Sequence, residues 1–82
     1  DHYTDMQDYE FKNRLAKYIL QIENDGCFQE KHTETAEYMG VSYRHLLYTL
    51  NQFHEDGLLE KKGRKYIIID EEKLERMSLK KD

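Results

Sequence analysis

The 82-residue sequence lacks proline and tryptophan, and it has one cysteine and four glycines. A lone cysteine, Cys27, cannot form an internal disulfide, and no apolar run is long enough for a signal peptide or a membrane span. These absences exclude a disulfide-rich secreted domain and a membrane protein, so a cytoplasmic protein is expected. Hydrophobic residues (38%) and charged residues (37%) are mixed in a way that predicts a folded, mainly helical chain.

The length allows one domain at most, over residues 1–82. A domain of this size buries only about 60% of the surface that its unfolded chain exposes, which excludes a large enclosed active-site cavity. Function is therefore expected at a surface, and an enzyme is not expected. The sequence begins at Asp1 rather than Met, which suggests a piece of a longer protein.

The 13 basic and 17 acidic residues give a net charge of −4, which by itself argues against binding to nucleic acid. The charge is uneven, because residues 1–30 hold 3 basic and 7 acidic side chains whereas residues 31–66 hold 6 basic and 5 acidic. The local field, and not the net charge, governs docking. The basic middle of the chain is therefore the segment to examine for an acidic partner.

Apolar residues at helical spacing occupy the first third of the chain, at Phe11, Leu15, Tyr18, Ile19 and Ile22. This stripe predicts an amphipathic helix at about 8–25 that Gly26 ends in a left-handed cap. Residues 1–10 are polar and acidic, and we predict that they form a linker from an N-terminal sensor domain. The Cys27-Phe28-Gln29 stretch forms either a short strand or an extended link.

Two further helices are predicted over residues 33–55, on either side of a glycine. Thr33 is the predicted N-cap of a brief helix that ends at Gly40, and Ser42 is the predicted N-cap of the next. Gly57 is expected just beyond the end of this last helix. The inward side of the last helix is predicted to consist of Leu46, Leu47, Leu50 and Phe53. A pair of helices joined by about three residues is typical of a helix-turn-helix.

After Gly57 the hydrophobic period changes from 3.6 to 2, which predicts a β-hairpin over residues 58–69 with Gly63 in its turn at positive φ. A basic hairpin behind a helix-turn-helix is a wing. Asp70 is then predicted to cap a short terminal helix over 71–77. The predicted fold class is α+β: a winged helix-turn-helix with a three-helix core, a two-stranded β wing and a short C-terminal helix.

The polar side of helix 42–55 is the candidate base-reading surface. Arg44, Tyr48 and Asn51 lie together there, and Arg and Asn can make bidentate contacts to guanine and adenine. Tyr43 and His45 lie in the first turn, where the side chains of a groove-inserted helix reach farthest. The alternative interpretation of this stripe is an ordinary solvated helix face.

The wing and the helix starts are the candidate backbone contacts. The predicted contacts to phosphates are Thr33, Ser42, Lys61, Lys62, Arg64 and Lys65. The basic run has a second interpretation, in which it only protects an exposed strand edge. Tyr66 is expected to pack under the hairpin rather than to stack on a base.

Metal and catalytic chemistry find little support in the sequence. Cys27 and His32 are five positions apart across a predicted turn, and a zinc site needs three or four converging ligands. Cys27 is therefore expected to be a small buried apolar residue. No acidic residue is placed to orient a histidine beside Ser42 or Ser78, and no glycine-rich phosphate loop occurs. We expect no cofactor, no metal and no catalytic residue.

Residues 33–69 (TETAEYMGVSYRHLLYTLNQFHEDGLLEKKGRKYIII) resemble the C-terminal winged helix-turn-helix of the Crp/Fnr family of transcription regulators. The stretch EKHTETAEYMGVSYRHLLYTLNQFHEDGLL is similar to the YeiL-type regulators within it. The resemblance extends from Asn13 to about Leu74. It implies a missing N-terminal sensor domain and dimerisation helix, binding of the whole protein to a double-stranded DNA operator as a homodimer, and contact with RNA polymerase.

The resemblance also implies a role for each part of the motif, with 33–39 as supporting helix, Gly40-Val41 as turn and the helix from Ser42 as recognition helix. After the serine, the family pattern has Arg, Glu, Thr, Val, any residue and Arg, in which the three charged residues read bases. Those three positions here hold Tyr43, Arg44 and Tyr48. Because tyrosine cannot make a bidentate arginine contact, the family's usual operator is not expected to carry over.

The prediction is therefore sequence-specific DNA binding, with helix 42–55 in the major groove and the wing on the phosphate backbone. The alternative is a winged-helix protein-interaction module with no direct DNA role, which would suit the net charge of −4. A single positive face with Arg44, Tyr48, Arg64 and Lys65 would favour DNA, and acids scattered across that face would favour a protein partner. A metal or redox sensor built on Cys27 would need ligands that the sequence does not offer.

Overall fold

The computed structural model of the protein describes residues 2–79, with side chains from Tyr9 onward. Its elements in chain order are α1 (His2–Ile22), β1 (Cys27–Phe28), α2 (His32–Met39), α3 (Tyr43–Glu55), β2 (Leu59–Lys62), β3 (Lys65–Ile68) and α4 (Glu71–Leu79). The predicted α+β winged helix-turn-helix is confirmed. The sheet, however, has three strands where two were predicted.

Helix α1 is longer at its start than predicted and shorter at its end. It begins at His2 and not at about residue 8, so the predicted linker 1–10 is helical from residue 2 onward, and Asp1 lies outside the described residues. No proline or glycine interrupts residues 1–10, and polar side chains do not prevent a helix. On the buried side, Phe11, Leu15 and Ile19 are almost fully enclosed, as the apolar stripe predicts.

Gly26 is not the cap of α1, because the helix ends at Ile22 and Gly26 belongs to a separate tight turn. Asp25 and Gly26 both have positive φ, 57° and 73°. Asn24 and Cys27 on either side exchange two backbone hydrogen bonds, of 2.9 and 3.1 Å. An Asp-Gly pair with positive φ at both residues is the typical two-residue hairpin connection. This turn directs the chain into β1.

The helix-turn-helix forms as predicted apart from its first cap. Helix α2 begins at His32, so Thr33 lies inside the helix, and the capping position is held by Lys31 without a side-chain hydrogen bond. Gly40 ends α2 at φ 74°, and Val41 N donates to Ala36 O at 3.0 Å. Ser42 Oγ then accepts from His45 N at 3.0 Å and caps α3. Arg14 of α1 donates to Met39 O at 3.2 Å and ties the end of α2 to the first helix.

Helix α3 is strongly two-sided. Leu46, Leu50 and Phe53 are fully buried, whereas the predicted inward residue Leu47 is only half-buried. Thr49, which the periodicity does not single out, is also buried, and its hydroxyl donates to His45 O at 3.0 Å. The side away from the core is exposed along Arg44, Tyr48, Asn51 and Glu55.

The antiparallel sheet has the order β1-β3-β2, so β3 is its middle strand. Cys27 pairs with Ile67 and Phe28 with Tyr66, while Leu59 to Lys62 pair with Ile68 to Lys65. Gly63 has φ 63° in the two-residue turn of the hairpin, as predicted. Because side chains alternate across a strand, Leu59, Lys61, Tyr66 and Phe28 share the face towards the helices, and Lys62 and Lys65 lie on the other face. Tyr66 is buried under the hairpin, as expected.

Helix α4 closes the fold against α1. Its N-cap is confirmed, since Asp70 Oδ1 accepts from Lys73 N at 3.0 Å, and it extends to Leu79, two residues beyond the predicted end. One core unites all elements, and it consists of Phe11, Leu15, Ala16, Ile19, Phe28, Ala36, Met39, Leu46, Leu50, Phe53, Leu58, Leu59, Tyr66 and Leu74. The wing and α4 are therefore integral parts of the core rather than additions to a helix-turn-helix.

Candidate nucleic-acid interface

The exposed stripe of α3 is the first part of the site. Arg44, Tyr48 and Asn51 all lie outside the core, and the Tyr48 side chain is 53% exposed. At about 100° per residue these three side chains fall within about 60° of one another around the helix axis. The structure thus brings together three of the five predicted base contacts. Guanidinium, phenol and carboxamide groups on one helix face offer donors and acceptors of the kind that read base edges.

Tyr43 and His45, the other two predicted base contacts, do not belong to this stripe. The His45 ring packs against Phe11 of α1 with 4.8 Å between ring centroids, and the residue is half-buried. Helical periodicity places His45 beside the apolar face, but only the tertiary structure reveals the aromatic ring opposite it. We therefore remove His45 from the candidate base contacts.

Tyr43 lies at the start of α3 and faces a hollow between α2 and the wing. The α2–wing hollow, as we name it, has a volume of about 310 Å³. Four parts of the chain line it: Glu30 and Lys31 before α2, His32 and Thr33 in its first turn, Tyr43 of α3, and Lys61, Gly63 and Arg64 of the wing. Three of the predicted backbone contacts, Thr33, Lys61 and Arg64, therefore come together here.

His32 forms part of this hollow, and sequence reasoning missed it as a functional residue. Its ring is close to two tyrosine rings, with ring centroids 6.3 Å from Tyr43 and 5.7 Å from Tyr66. Burial, assisted by the positive charge of Lys61, lowers the pKa of His32 below its usual value. The sequence contained only a weak signal, a histidine directly after Lys31 at a helix start, because Lys61 and Tyr66 are distant along the chain.

Lys62 and Lys65, two further predicted backbone contacts, lie on the opposite face of the hairpin. Lys65 lines a separate hollow together with Cys27, Asp25 and Glu30. The alternation of side chains along a strand separates Lys61 from its neighbour Lys62 in the same way. The basic run 61–65 is therefore divided between two surfaces, and only Lys61 and Arg64 accompany the starts of α2 and α3.

Ser42 has a structural role in addition to the predicted contact. Its oxygen accepts the hydrogen bond from His45 N, which leaves the hydroxyl proton to be donated elsewhere. Cys27, expected to be buried, is only half-buried, and among the described side chains of residues 9–79 no three His, Cys, Asp or Glu residues converge as metal ligands would. In the same part of the chain, no helix has the length and apolar character needed to cross a membrane.

The local charge around the α2–wing hollow is positive in spite of the net charge of −4. Lys31, Lys61 and Arg64 line it together with a single acid, Glu30. Burial also raises the pKa of Tyr66 above its usual value, so its phenol adds no negative charge near neutral pH. A positive surface next to an exposed polar helix face is what contact with a nucleic acid requires.

Comparison with known proteins identifies the family. The family model described as Crp-like helix-turn-helix domain matches residues 13–77. The chain belongs to the Crp-like helix-turn-helix family. The regulatory protein YeiL of Escherichia coli O157:H7 is 47% identical to this Crp-like domain over 79 residues, which are 96% of this chain and 36% of YeiL. The chain thus spans about a third of the length of that relative.

Two solved structures share the fold of this Crp-like domain. The catabolite activator protein of Thermus thermophilus aligns with a TM-score of 0.80 at 21% identity, over 94% of this chain and 38% of its own. The CO-dependent transcription factor CooA from Carboxydothermus hydrogenoformans, in its imidazole-bound form, aligns with a TM-score of 0.68 at 23% identity, over 82% and 36%. These two alignments show the shared fold, whereas membership of the Crp-like helix-turn-helix family makes the chain a helix-turn-helix domain of the transcription-regulator type and not an enzyme.

Proposed function

We propose that this Crp-like domain binds double-stranded DNA in a sequence-specific manner, with α3 in the major groove and the wing on the phosphate backbone. The observation that carries the proposal is the position of the exposed Arg44, Tyr48 and Asn51 stripe next to the positive α2–wing hollow. A helix in the major groove needs base-reading side chains along its outer face and cationic groups beside it, where the sugar-phosphate strands run.

Base reading is assigned to three side chains of α3. Arg44 would span the O6 and N7 acceptors of a guanine, and Asn51 would pair with the N6 and N7 of an adenine. Tyr48 has one hydroxyl group and an apolar ring edge, so it would discriminate less, through one hydrogen bond or a thymine methyl contact. Tyr43 is proposed to approach DNA from the α2–wing hollow, where its hydroxyl group suits a phosphate better than a base edge.

Backbone contacts are assigned to Lys61 and Arg64 of the wing, with Thr33 and the free hydroxyl proton of Ser42 as neutral donors. These groups lie at the starts of α2 and α3 or at the wing tip. Lys62 and Lys65 are proposed as weaker contributors, because they face the other side of the hairpin. Their charge still adds to long-range attraction.

The intact regulator is proposed to be a homodimer that reads two half-sites. Helix-turn-helix regulators bind half-sites about one helical turn apart, which requires two copies of the domain. A chain that spans 36% of its relative YeiL leaves length for a sensor and a dimerisation element. We also propose, from the membership of the Crp-like family, that the intact regulator contacts RNA polymerase and lies in the cytoplasm with the DNA.

Selection of binding sites from a random duplex pool tests the function directly. The chain, fused to a dimerising coiled coil, is expected to enrich a palindromic sequence with half-sites about one turn apart. Substitution of Arg44 by alanine in the same fusion should reduce the base preference at one position of the selected half-site. Failure to retain any duplex at low salt would overturn the proposal and favour a protein-interaction module.

A further inference from the structure

We propose that His32 is a proton-coupled contact to a DNA phosphate, and that its imidazole gains a proton when a backbone phosphate enters the α2–wing hollow. The inference rests on the proposed function and deepens it, since it names a residue outside the predicted contact set. It makes DNA affinity depend on pH through one identified side chain.

The position of His32 makes this contact geometrically direct. It is the first residue of α2, and it lines the hollow between Lys31 and Thr33 on its own side and Lys61 and Arg64 on the wing side. The imidazole is half-buried and packs beside the rings of Tyr43 and Tyr66. A side chain fixed in this way loses little further conformational entropy on contact with a ligand.

The charged and titratable groups around His32 come from every element that borders the hollow. Lys31 and Glu30 precede α2, Lys61 belongs to β2, and Arg64 to the hairpin turn. Tyr43 of α3 and Tyr66 of β3 contribute phenol groups, and burial raises the pKa of the Tyr66 phenol above its usual value. These groups comprise three cations and one carboxylate, so their net positive charge disfavours protonation of His32. Burial of the imidazole disfavours it as well.

The free domain therefore keeps His32 neutral near pH 7, since burial and Lys61 lower its pKa. A phosphate in the hollow reverses the balance, because its negative charge favours the imidazolium form. Protonation also converts the imidazole from one donor and one acceptor into two donors, so that no lone pair faces the phosphate oxygens. The pKa of His32 is thus higher in the complex than in the free domain.

The sign of the pH effect follows from this difference. Because the complex binds a proton that the free domain lacks, DNA affinity must rise as pH falls. One proton sets an upper limit of about tenfold in affinity per pH unit. The dependence levels off in acid once His32 of the free domain is itself protonated, and it levels off in alkali once the complex has lost the proton.

Isothermal titration of the chain with a duplex of mixed sequence, at low salt and near pH 7, measures the proton directly. Repeating the titration in buffers of different ionisation enthalpy gives the number of protons taken up. For the unaltered chain we expect a net uptake of at most one proton for each bound domain. For His32→Gln we expect a clearly smaller proton uptake. His54→Gln is the matched control, because His54 is exposed near the other end of α3, with Nδ1 3.1 Å from Leu59 O. It should keep the uptake.

A second variant guards against a folding defect in His32→Gln. Lys61→Gln removes the nearby positive charge, so it should raise the pH at which the His32 ring signal titrates in the free domain. The pH below which DNA affinity levels off should move upward with it, even though the affinity itself decreases. A purely structural role of His32 would still let the ring titration move, because Lys61 acts on His32 in the free domain, but it would leave the pH dependence of DNA affinity in place.

The possible results separate the two proposals. Binding without proton uptake, or uptake that His32→Gln retains, would overturn the role of His32 and leave DNA binding intact. Absence of binding to any duplex across about pH 6 to 8 would overturn both. Uptake that disappears with His32→Gln and persists with His54→Gln supports the proton-coupled contact.

Discussion

At the scale of single residues, Arg44 is expected to govern sequence discrimination. It is exposed at the start of α3, and a good bidentate base contact contributes about 1–3 kcal/mol of discrimination. Arg44→Ala should therefore weaken binding to the selected duplex more than binding to a random one. Titration of both duplexes with the variant measures the difference.

Arg76→Ala is the matched control for Arg44, because it removes the same charge from α4, where Arg76 lies 3.9 Å from Glu72. This variant should change the two affinities little and equally. Equal losses on both duplexes for Arg44→Ala would remove Arg44 from the base contacts.

The surroundings of His32 and His45 could not be predicted from the local sequence pattern. Helical periodicity correctly predicts the exposed side of α3 at Arg44, Tyr48 and Asn51. It leaves His45 at the boundary between the two sides, where Phe11 of a different helix decides its environment. His32 acquires its surroundings from Lys61 and Tyr66, about thirty residues away, and local sequence contains no record of such a contact.

At the scale of elements, the cap of α3 separates stability from binding. Ser42→Ala removes the hydrogen bond to His45 N and should cost about 0.5–2 kcal/mol of unfolding free energy. Ser42→Asp retains a capping oxygen and should keep the stability, but its negative charge at the proposed backbone contact should weaken DNA binding. Denaturant unfolding and duplex titration of both variants measure the two effects. Undiminished DNA binding by Ser42→Asp would exclude a phosphate next to this cap.

Substitutions on the two faces of the wing should affect the salt dependence of DNA affinity differently. Lys61→Gln is expected to reduce the slope of log affinity against log salt by about 1, since one phosphate contact is lost. Lys65→Gln removes the same charge from the opposite face and should change the slope less. Affinity measured over a range of salt concentrations compares them. A larger change for Lys65 would mean that the other face of the hairpin meets the DNA.

The elements themselves were largely predictable, because each has a local signal. The Gly40 turn, the Ser42 and Asp70 caps and the Gly63 hairpin all form where the sequence predicts them. The third strand has no such signal, because two residues at Cys27–Phe28 are too few for a period and only the pairing with β3 defines them as a strand. The Asp25-Gly26 dipeptide is itself a local signal for the tight turn that it forms.

At the scale of the whole molecule, affinity is expected to depend on the number of domains. A single copy with a net charge of −4 has weak long-range attraction to DNA and must overcome the entropy of association with few contacts. Two copies joined by a coiled coil should bind a duplex with two half-sites about 10²–10⁴ times more tightly. Because α1 is helical from His2, a preceding coiled coil can continue into it without a break.

The measurement for this prediction is a titration of one two-site duplex with the single chain and with the fusion. A fusion whose coiled coil is displaced by two residues turns each domain by about 200° about α1 and serves as the geometric control. Equal affinity of the single chain and the correctly joined fusion would contradict the model of two half-sites.

The middle position of β3 also determines when the protein can fold during its synthesis. Both outer strands, β1 and β2, leave the ribosome before β3, so neither has its partner until residues 65–68 have emerged. Until then Phe28 lacks the Tyr66 side chain that lies across from it in the finished sheet. Protease digestion of nascent chains stalled at successive lengths should reveal protection only after Ile68. Helix α3 is thus translated before the strand that completes the sheet is available.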